Sequence, residues 1–387
     1  MNTSEYKKFL HTCSKNINDF DVKLFDVDNT VHSVYDNIDK LQLQASKVRQ
    51  KFVDNIANNL LDFEKNFISN KSYINWCLSY DDFYNSLLKL LDKKKIKSVS
   101  IFPSDFNNEL SLEKMLKLEG ISLFSKDNIC SIHEPNFGIV DTGSFLSIFN
   151  SIFEMELLLD SKIKIFILPI NKFICNISDI DIFAHILSIY KDNAKFPQIS
   201  NIFTPNSAEN KSETHLFIVD NGRSNLLSLK EQKKSLWCIN CGACKKVCPV
   251  YKLIKDQPYN NSLTGPLANV MLPFLENYDS YKHLSFNSVL CGNCSKVCPV
   301  NIPITDLILE NRKFFFESKI MNLEDNLLSL GLKKFLISRK NMNRRYWVKK
   351  YLLRKMLPNT IKKSIRIPSF SKKTFNQNEQ QNKANIE

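Results

Sequence analysis

Apolar side chains at Val34, Ile38, Leu41, Ala45, Val48, Phe52, Ile56, Leu60, Phe63 and Phe67 recur at alternating three- and four-residue steps. That spacing predicts one long amphipathic helix, or two in series. A second helix is expected over residues 81–93, with Asp81 or Asp82 as its cap. Beyond it the pattern changes. Residues 99–102, 121–124, 138–140, 163–168 and 216–219 read as short apolar strands, and residues 110–118 and 180–190 as helices between them. Strands alternating with helices indicate an α/β layer built on a mostly parallel sheet. Near Leu226 the character shifts to helices and cysteine-bearing loops, with a helix expected after each cysteine run and another at 304–317. Residues 322–357 read as a basic helix carrying Arg339, Lys340, Arg344, Arg345, Lys349, Lys350, Arg354 and Lys355. A polar docking tail follows from Pro358.

The expected partition is a helical region at 1–93, an α/β domain at 94–225, an all-α domain around the cysteine loops at 226–320, and a basic helical region with its tail at 321–387. Glycine scarcity narrows the chemistry. With only 8 glycines in 387 residues there is no G-x-G-x-x-G, no G-x-x-x-x-G-K-[ST] and no G-x-S-x-G. A backbone-cradled nucleotide phosphate and a serine nucleophile elbow are thereby disfavoured. The first eight residues are polar where a secretory apolar core would sit, and no apolar run approaches the ~18 residues of a membrane span. A reducing cytoplasm is therefore expected, where clustered thiols signal metal or redox chemistry rather than disulfides. The net charge of +13 fits an anionic partner, and it fits equally an AT-biased composition rich in Lys, Asn, Ile and Phe.

Seven of the 11 cysteines fall in two runs. Cys238, Cys241, Cys244, Cys248 and Pro249 follow C-x2-C-x2-C-x3-C-P, the spacing of bacterial two-cluster ferredoxins, in which the fourth cysteine serves the other cluster. Cys291, Cys294, Cys298 and Pro299 repeat its last three cysteines and its proline. Ser288 stands where a further cysteine would complete the pattern. Interleaving assigns Cys238, Cys241, Cys244 and Cys298 to cluster one, and Cys248, Cys291 and Cys294 to cluster two, which is one thiolate short. Cluster two is then a three-iron species, or a four-iron one completed by Ser288, His283, water or a distant thiol. Zinc is the competing metal, but tetrahedral zinc has no use for a third cysteine two residues on and a fourth before proline. Lys245, Lys246, Lys252 and Lys296 lie in or just after the loops and offset the negative charge of such clusters. Cys13, Cys77, Cys130 and Cys175 read as small buried residues.

Around these runs the chain resembles a family. Val219 to Ser224, the stretch from Cys238 to Tyr251, Leu263 to Leu267, the stretch from Leu290 to Ile304, and Leu307 to Arg312 are similar to the iron–sulfur subunit of the bacterial L-lactate utilization system, the LutB type. Residues 371–375 resemble the end of that family. Asp141-Thr142-Gly143 looks like the acidic-Thr-Gly motif of its LUD domain, an α/β fold related to the glucosamine-phosphate isomerase and CoA-transferase group. The resemblance is strong over the C-terminal half and weak before Gly138, where the α/β part reads as trimmed. It implies a cytoplasmic protein that acts with companion subunits in oxidising L-lactate to pyruvate. It also implies two 4Fe–4S clusters on the seven cysteines, the absence at Ser288 included. Two alternatives remain: electron transfer for another 2-hydroxy acid such as glycolate, and a catalytic subunit that binds the hydroxy acid in the LUD domain. Asn150-Ser151-Ile152 replaces the family's usual Asn-Glu-Gly, an alteration that argues against a working LUD site.

Other residues carry weaker signals. Asp220-Asn221-Gly222-Arg223 reads as a turn first, although Arg223 has the fork to hold a carboxylate. His133-Glu134 is not an H-E-x-x-H, since residue 137 is Phe. The basic C-terminal helix, with Tyr346, Trp347 and Tyr351 interleaved, suits a partner subunit or peripheral membrane contact. No recognition motif supports specific nucleic-acid binding.

Overall fold

The computed structural model describes residues 38–123, 129–149, 151–192, 199–205, 212–259 and 263–318. Two helices open it, α1 (Ile38–Asp54) and α2 (Ile56–Ser69), where the apolar spacing allowed one or two. Asn55 separates them with a non-helical backbone. Strand β1 (Tyr73–Cys77) follows, which the alternation did not reveal, then α3 (Tyr80–Lys93). The cap of α3 is Ser79, whose hydroxyl accepts from the Asp82 N–H at 3.2 Å, rather than Asp81 or Asp82. Both aspartates lie in the first turn, where the helix dipole favours them.

Next come β2 (Ser100–Ile101), α4 (Asp105–Glu109) and α5 (Leu112–Leu118). The single helix expected at 110–118 is thus shorter and has a companion, because Ser111 is left-handed at φ 49° and breaks the run. The strand expected at 121–124 is not formed: Ser122 makes one isolated bridge to Ser98, and Phe124 lies outside the described residues. Strands β3 (Cys130–His133), β4 (Phe137–Ile139) and β5 (Ser144–Ile148) precede α6 (Ile152–Asp160), β6 (Ile163–Pro169), β7 (Phe173–Ile174), α7 (Ile180–Asp192), β8 (Ser200–Phe203) and β9 (Glu213–Val219).

One sheet has the order β1-β9-β6-β3-β2 and is parallel throughout. Its inner strands β6 and β9 are buried along almost their whole length, as expected where both faces are covered. A second sheet, β7-β4-β5-β8, pairs β4 with β5 and β5 with β8 antiparallel and β4 with β7 parallel. The expected mostly parallel layer is therefore accompanied by a mixed one. Of its strands only β4 was expected, at 138–140; β7 is two residues long, and β5 carries serines at its start and within. Aromatic rings join the layers: Phe63 on α2 meets Phe173 at 4.8 Å, and Phe145 on β5 stacks on Phe166 of β6 at 4.4 Å. The acidic-Thr-Gly motif is the turn between β4 and β5. Asn66 and Asn70 of α2 and its end donate to the Val140 and Thr142 carbonyls at 2.8 and 3.1 Å. A Cβ on Gly143 would lie 2.6 Å from the Phe67 nitrogen, so glycine lets this turn press against the helix.

After β9, the described residues carry helical elements only: α8 (Ser224–Leu227), a 3-10 turn Gln232–Trp237, α9 (Ala243–Val247), α10 (Pro249–Ile254), α11 (Ala268–Leu275), α12 (Tyr278–Tyr281), a 3-10 turn Lys282–Phe286, α13 (Asn293–Lys296) and α14 (Ile304–Glu317). The expected helix at 304–317 is α14. The described residues through Phe315 group as one compact unit. The basic helix expected at 322–357 and the tail beyond it lie outside the described residues. Among the described residues no helix is long and apolar enough to cross a membrane.

Candidate iron–sulfur site

The two cysteine loops share one backbone design. Asn240 and Leu290, each just before the second and first cysteine of its run respectively, are left-handed at φ 56°. Gly242 and Gly292, each just after those cysteines, are left-handed at 73° and 83° and open the short helices α9 and α13. A non-glycine residue in this region costs about 1–2 kcal/mol, so its recurrence at equivalent positions reflects a demand of the loop. A Cβ on either glycine would meet nothing within 4 Å, so both backbones are bare beside the thiols. Helices α9 and α13 pack on each other, which brings the runs together across about fifty intervening residues.

The neighbourhoods of the thiols interleave. Burial pushes the Cys241 thiol up, and the nearby Cys298 and Cys238 add to it. Burial also drives Cys298 to about 12, with Cys238 and Cys244 reinforcing the shift against N–H donors from Ile302 and Val300. Cys248 is raised by burial and then by Cys294 and Cys291, against the N–H of Tyr251. Cys244 is raised well above its ordinary value by burial, then by Cys238, Cys241 and Cys294. Cys291 is exposed, while Cys294 and Cys298 are buried, and none of the seven is in a disulfide. Thiols held this high stay protonated unless a cation replaces the proton, and coordination to a metal does that outright.

Backbone N–H groups already point at the sulfurs: Asn240 to Cys238 at 3.3 Å, Tyr251 to Cys248 at 3.4 Å, and Ile302 to Cys298 at 3.3 Å. Pro249 is the first residue of α10, where its missing N–H costs nothing, and Cys248 caps that helix. A hollow beside Cys248, Cys291 and Cys294 is also lined by Gly292, Ser288 and Asn269, whose buried Oδ1 has no hydrogen-bond partner. Ser288 accepts from the Leu290 N–H at 3.1 Å through Oγ, and from Arg312 at 2.9 Å through its carbonyl. His283 contacts the Pro258 carbonyl at 3.4 Å. Among the described residues no three His, Cys, Asp or Glu side chains converge on a point as one metal ion requires. A cube spreads its thiolates over separate irons. The donor set, the bare glycines and the aimed N–H groups fit such a cluster.

Two cations absent from the sequence reading approach this site from afar. Burial raises the Cys238 thiol, and after the Asn240 N–H the charges of Lys172, Arg49 and the expected Lys245 offset part of that rise. Arg49 of α1 is fully buried. It donates to the Trp237 and Leu236 carbonyls at 3.0 Å, just before Cys238, and also to the Phe173 and Asn171 carbonyls. Lys246 instead donates to the Tyr190 carbonyl at 2.7 Å. Arg223 does hold a carboxylate, that of this chain's own Glu109, with Nη2 at 2.8 and 2.9 Å from its oxygens. It does so from the expected turn, where Asn221 and Gly222 are left-handed. Cys77, Cys130 and Cys175 are buried as expected, and Cys13 lies outside the described residues. Of the altered Asn150-Ser151-Ile152, Ser151 caps α6 and Asn150 lies outside the described residues.

The model of the 4Fe-4S dicluster domain family matches residues 234–302, which contain both loops. Lactate utilization protein B of Macrococcus caseolyticus (strain JCSC5402) is 31% identical over 244 residues, 60% of this chain and 50% of that protein. Lactate utilization protein B of Bacillus thuringiensis (strain Al Hakam) is 31% identical over 187 residues, 48% of this chain and 39% of that protein. The chain thus spans about half the length, or less, of these curated relatives. A DUF162 family protein from Deinococcus radiodurans of known structure aligns with a TM-score of 0.33 and 11% identity, over 43% of this chain and 98% of that one. Residues 234–302 are thus similar to a 4Fe-4S dicluster domain. Over the stretches matched, the chain is similar to LutB-type lactate utilization proteins.

Proposed function

We propose that this chain is the electron-transfer subunit of a cytoplasmic complex that oxidises L-lactate to pyruvate, acting with companion subunits. Two 4Fe–4S clusters sit on the interleaved cysteines, and an LUD-like α/β domain extends over residues 94–225 together with β1 of the same sheet. The observation that carries this reading is the repeated loop: two runs with equivalent left-handed residues, packed through α9 and α13 so that Cys298 neighbours Cys238 and Cys248 neighbours Cys291 and Cys294. When bound, the clusters supply one-electron transfer at a potential set by charge, burial and hydrogen bonds to sulfur. The chain's own part is to hold and tune them. The N–H groups of Asn240, Tyr251 and Ile302 stabilise negative charge on sulfur, and Arg49, Lys172 and Lys245 add positive charge around Cys238. Glycolate in place of lactate keeps the same relay.

The test is anaerobic preparation of the full chain, iron and sulfide analysis, and EPR in oxidised and dithionite-reduced states. Cys248→Ser should deplete the cluster that includes Cys291 and Cys294, and Cys298→Ser the cluster that includes Cys238. Zinc without labile sulfide overturns the reading, and losses in the opposite order overturn the interleaving.

A further inference from the structure

A cavity of about 310 Å³ opens where β2 and β3 end and reaches the first cysteine loop. Phe102 follows β2, Glu134 follows β3, and Lys172 follows β6, so the cavity lies beyond the carboxyl ends of parallel strands, where α/β sheets bind ligands. Asn240, which sits between Cys238 and Cys241 and donates its N–H to Cys238 at 3.3 Å, forms part of the wall. A molecule in the cavity therefore touches the loop that is to carry cluster one.

The polar lining is unusual for its unmet capacity. Lys172 and Glu134 are a buried pair, their side chains 6% and 5% exposed, with Nζ and Oε1 3.6 Å apart. Charge-assisted N–H···O bonds close to about 2.7–2.9 Å, so this pair is adjacent without being bonded. Glu134 Oε2 accepts from the Phe106 N–H at 3.2 Å, while Oε1 has no hydrogen-bond partner. His133 is held between aromatic rings, stacked on Phe149 at 5.2 Å and edge-on to Phe102 at 5.3 Å. Its Nε2 pairs with the Ser147 hydroxyl at 2.9 Å, and its buried Nδ1 has no partner. Phe102, Phe149 and Leu187 supply apolar walls.

We propose that this cavity binds a small 2-hydroxy carboxylate, so that the chain itself contributes a substrate site beside cluster one. The proposal rests on the lactate-type iron–sulfur reading and adds the site and the logic of its selectivity. A cation and a vacant acceptor side by side complement an anion and a hydroxyl on adjacent carbons. The ligand carboxylate takes the spare Lys172 donors, and the hydroxyl donates to Glu134 Oε1. The terminal glutamate torsion is soft enough to turn that oxygen toward the newcomer. His133, whose Nδ1 is unpartnered, lines the same cavity, and a methyl group meets Phe102 and Phe149. Removing the hydroxyl leaves the glutamate oxygen unmet, and a 2-oxo group offers it no donor. Both analogues are therefore rejected.

The test is calorimetric titration of the iron-loaded full chain with L-lactate, glycolate, propionate, pyruvate and inorganic phosphate, with EPR of the reduced protein at each end point. L-lactate should bind at least tenfold more tightly than propionate or pyruvate, and its binding should alter the signal of the cluster that Cys298→Ser depletes while leaving the other unchanged. Lys172→Met should weaken L-lactate binding at least tenfold. Glu134→Gln, which keeps shape and size, should erase most of the preference over propionate and serves if the lysine variant fails to fold. Equal binding of propionate or phosphate, or no binding to a chain whose clusters are intact, overturns the cavity proposal alone. Selective L-lactate binding by a chain that takes up no iron overturns the iron–sulfur reading and leaves the cavity standing.

Discussion

Replacing Arg49 by methionine keeps an unbranched, buried side chain and removes the fork that ties α1 to two distant segments. The guanidinium donates to the carbonyls of Asn171, Phe173, Leu236 and Trp237, so it joins the β6–β7 connection to the turn that delivers Cys238. Hydrogen bonds to a charged group contribute about 1.5–3 kcal/mol each, and four of them amount to about 6–12 kcal/mol gross. Burial opposes this: it lowers Arg49 from 12.5 to about 10, which corresponds to about 3 kcal/mol of penalty that methionine relieves. The Leu236 carbonyl also keeps a partner, the Asn171 side-chain amide at 3.1 Å. The net loss should be about 3–5 kcal/mol, the range found when one member of a buried charged network is removed. Urea unfolding of the full chain, metal-free and under reducing conditions, reads this directly. Arg49→Lys keeps the charge without the planar fork and should lose nearly as much. A methionine variant within 1 kcal/mol of the parent, or a lysine variant as stable as the parent, would refute the reasoning.

Three further expectations follow from local geometry. Gly222→Ala should destabilise by about 2–3 kcal/mol, since φ is +79° and the new Cβ would lie 2.4 Å from the Leu275 carbonyl oxygen; a change below 0.5 kcal/mol on thermal unfolding would contradict it. Glu109→Ala leaves Arg223 buried without its carboxylate and under the Phe106 ring, where the pair is now 5–7% exposed, and should cost about 3–5 kcal/mol by the same unfolding assay. Burial holds His133 down to about 3, whereas an unfolded histidine titrates near 6.5. Between those values the unfolded chain binds a proton that the folded one refuses, so stability falls as pH falls below about 6.5, by up to about 1.4 kcal/mol per pH unit. Urea midpoints of the parent and His133→Gln at pH 7, 6 and 5 should diverge, and parallel lines would count against this role.

Much of the molecule could be read locally. A helix shows itself through a 3.6-residue period, and the apolar positions that announce α1, α2 and α14 need no partner to be recognised. The cysteine spacing is likewise a property of short loops, and with it the class of metal these thiols suit. Strand β1 was missed because only Cys77 in it is buried and it forms by pairing with β9, 142 residues later in the chain. Strands β5, β7 and β8 of the second sheet were missed for a related reason: they are short pieces whose partnership rests on each other and on the expected β4. Ser79 displaced the aspartates as cap because backbone geometry at the helix start, rather than acidity, selects the accepting oxygen.

The sequence by itself determined which residues have the chemistry for iron, since ligand type and spacing are written in consecutive positions. Tertiary structure decided what surrounds them. Arg49 and Lys172 stand 189 and 66 residues before Cys238 in sequence, and Glu134, His133 and Asn240 meet at one cavity only after three strand ends and a cysteine loop have been folded together. The physical reason is range: backbone propensity acts within a few residues, whereas burial and electrostatic neighbourhood depend on chain closure over a hundred or more.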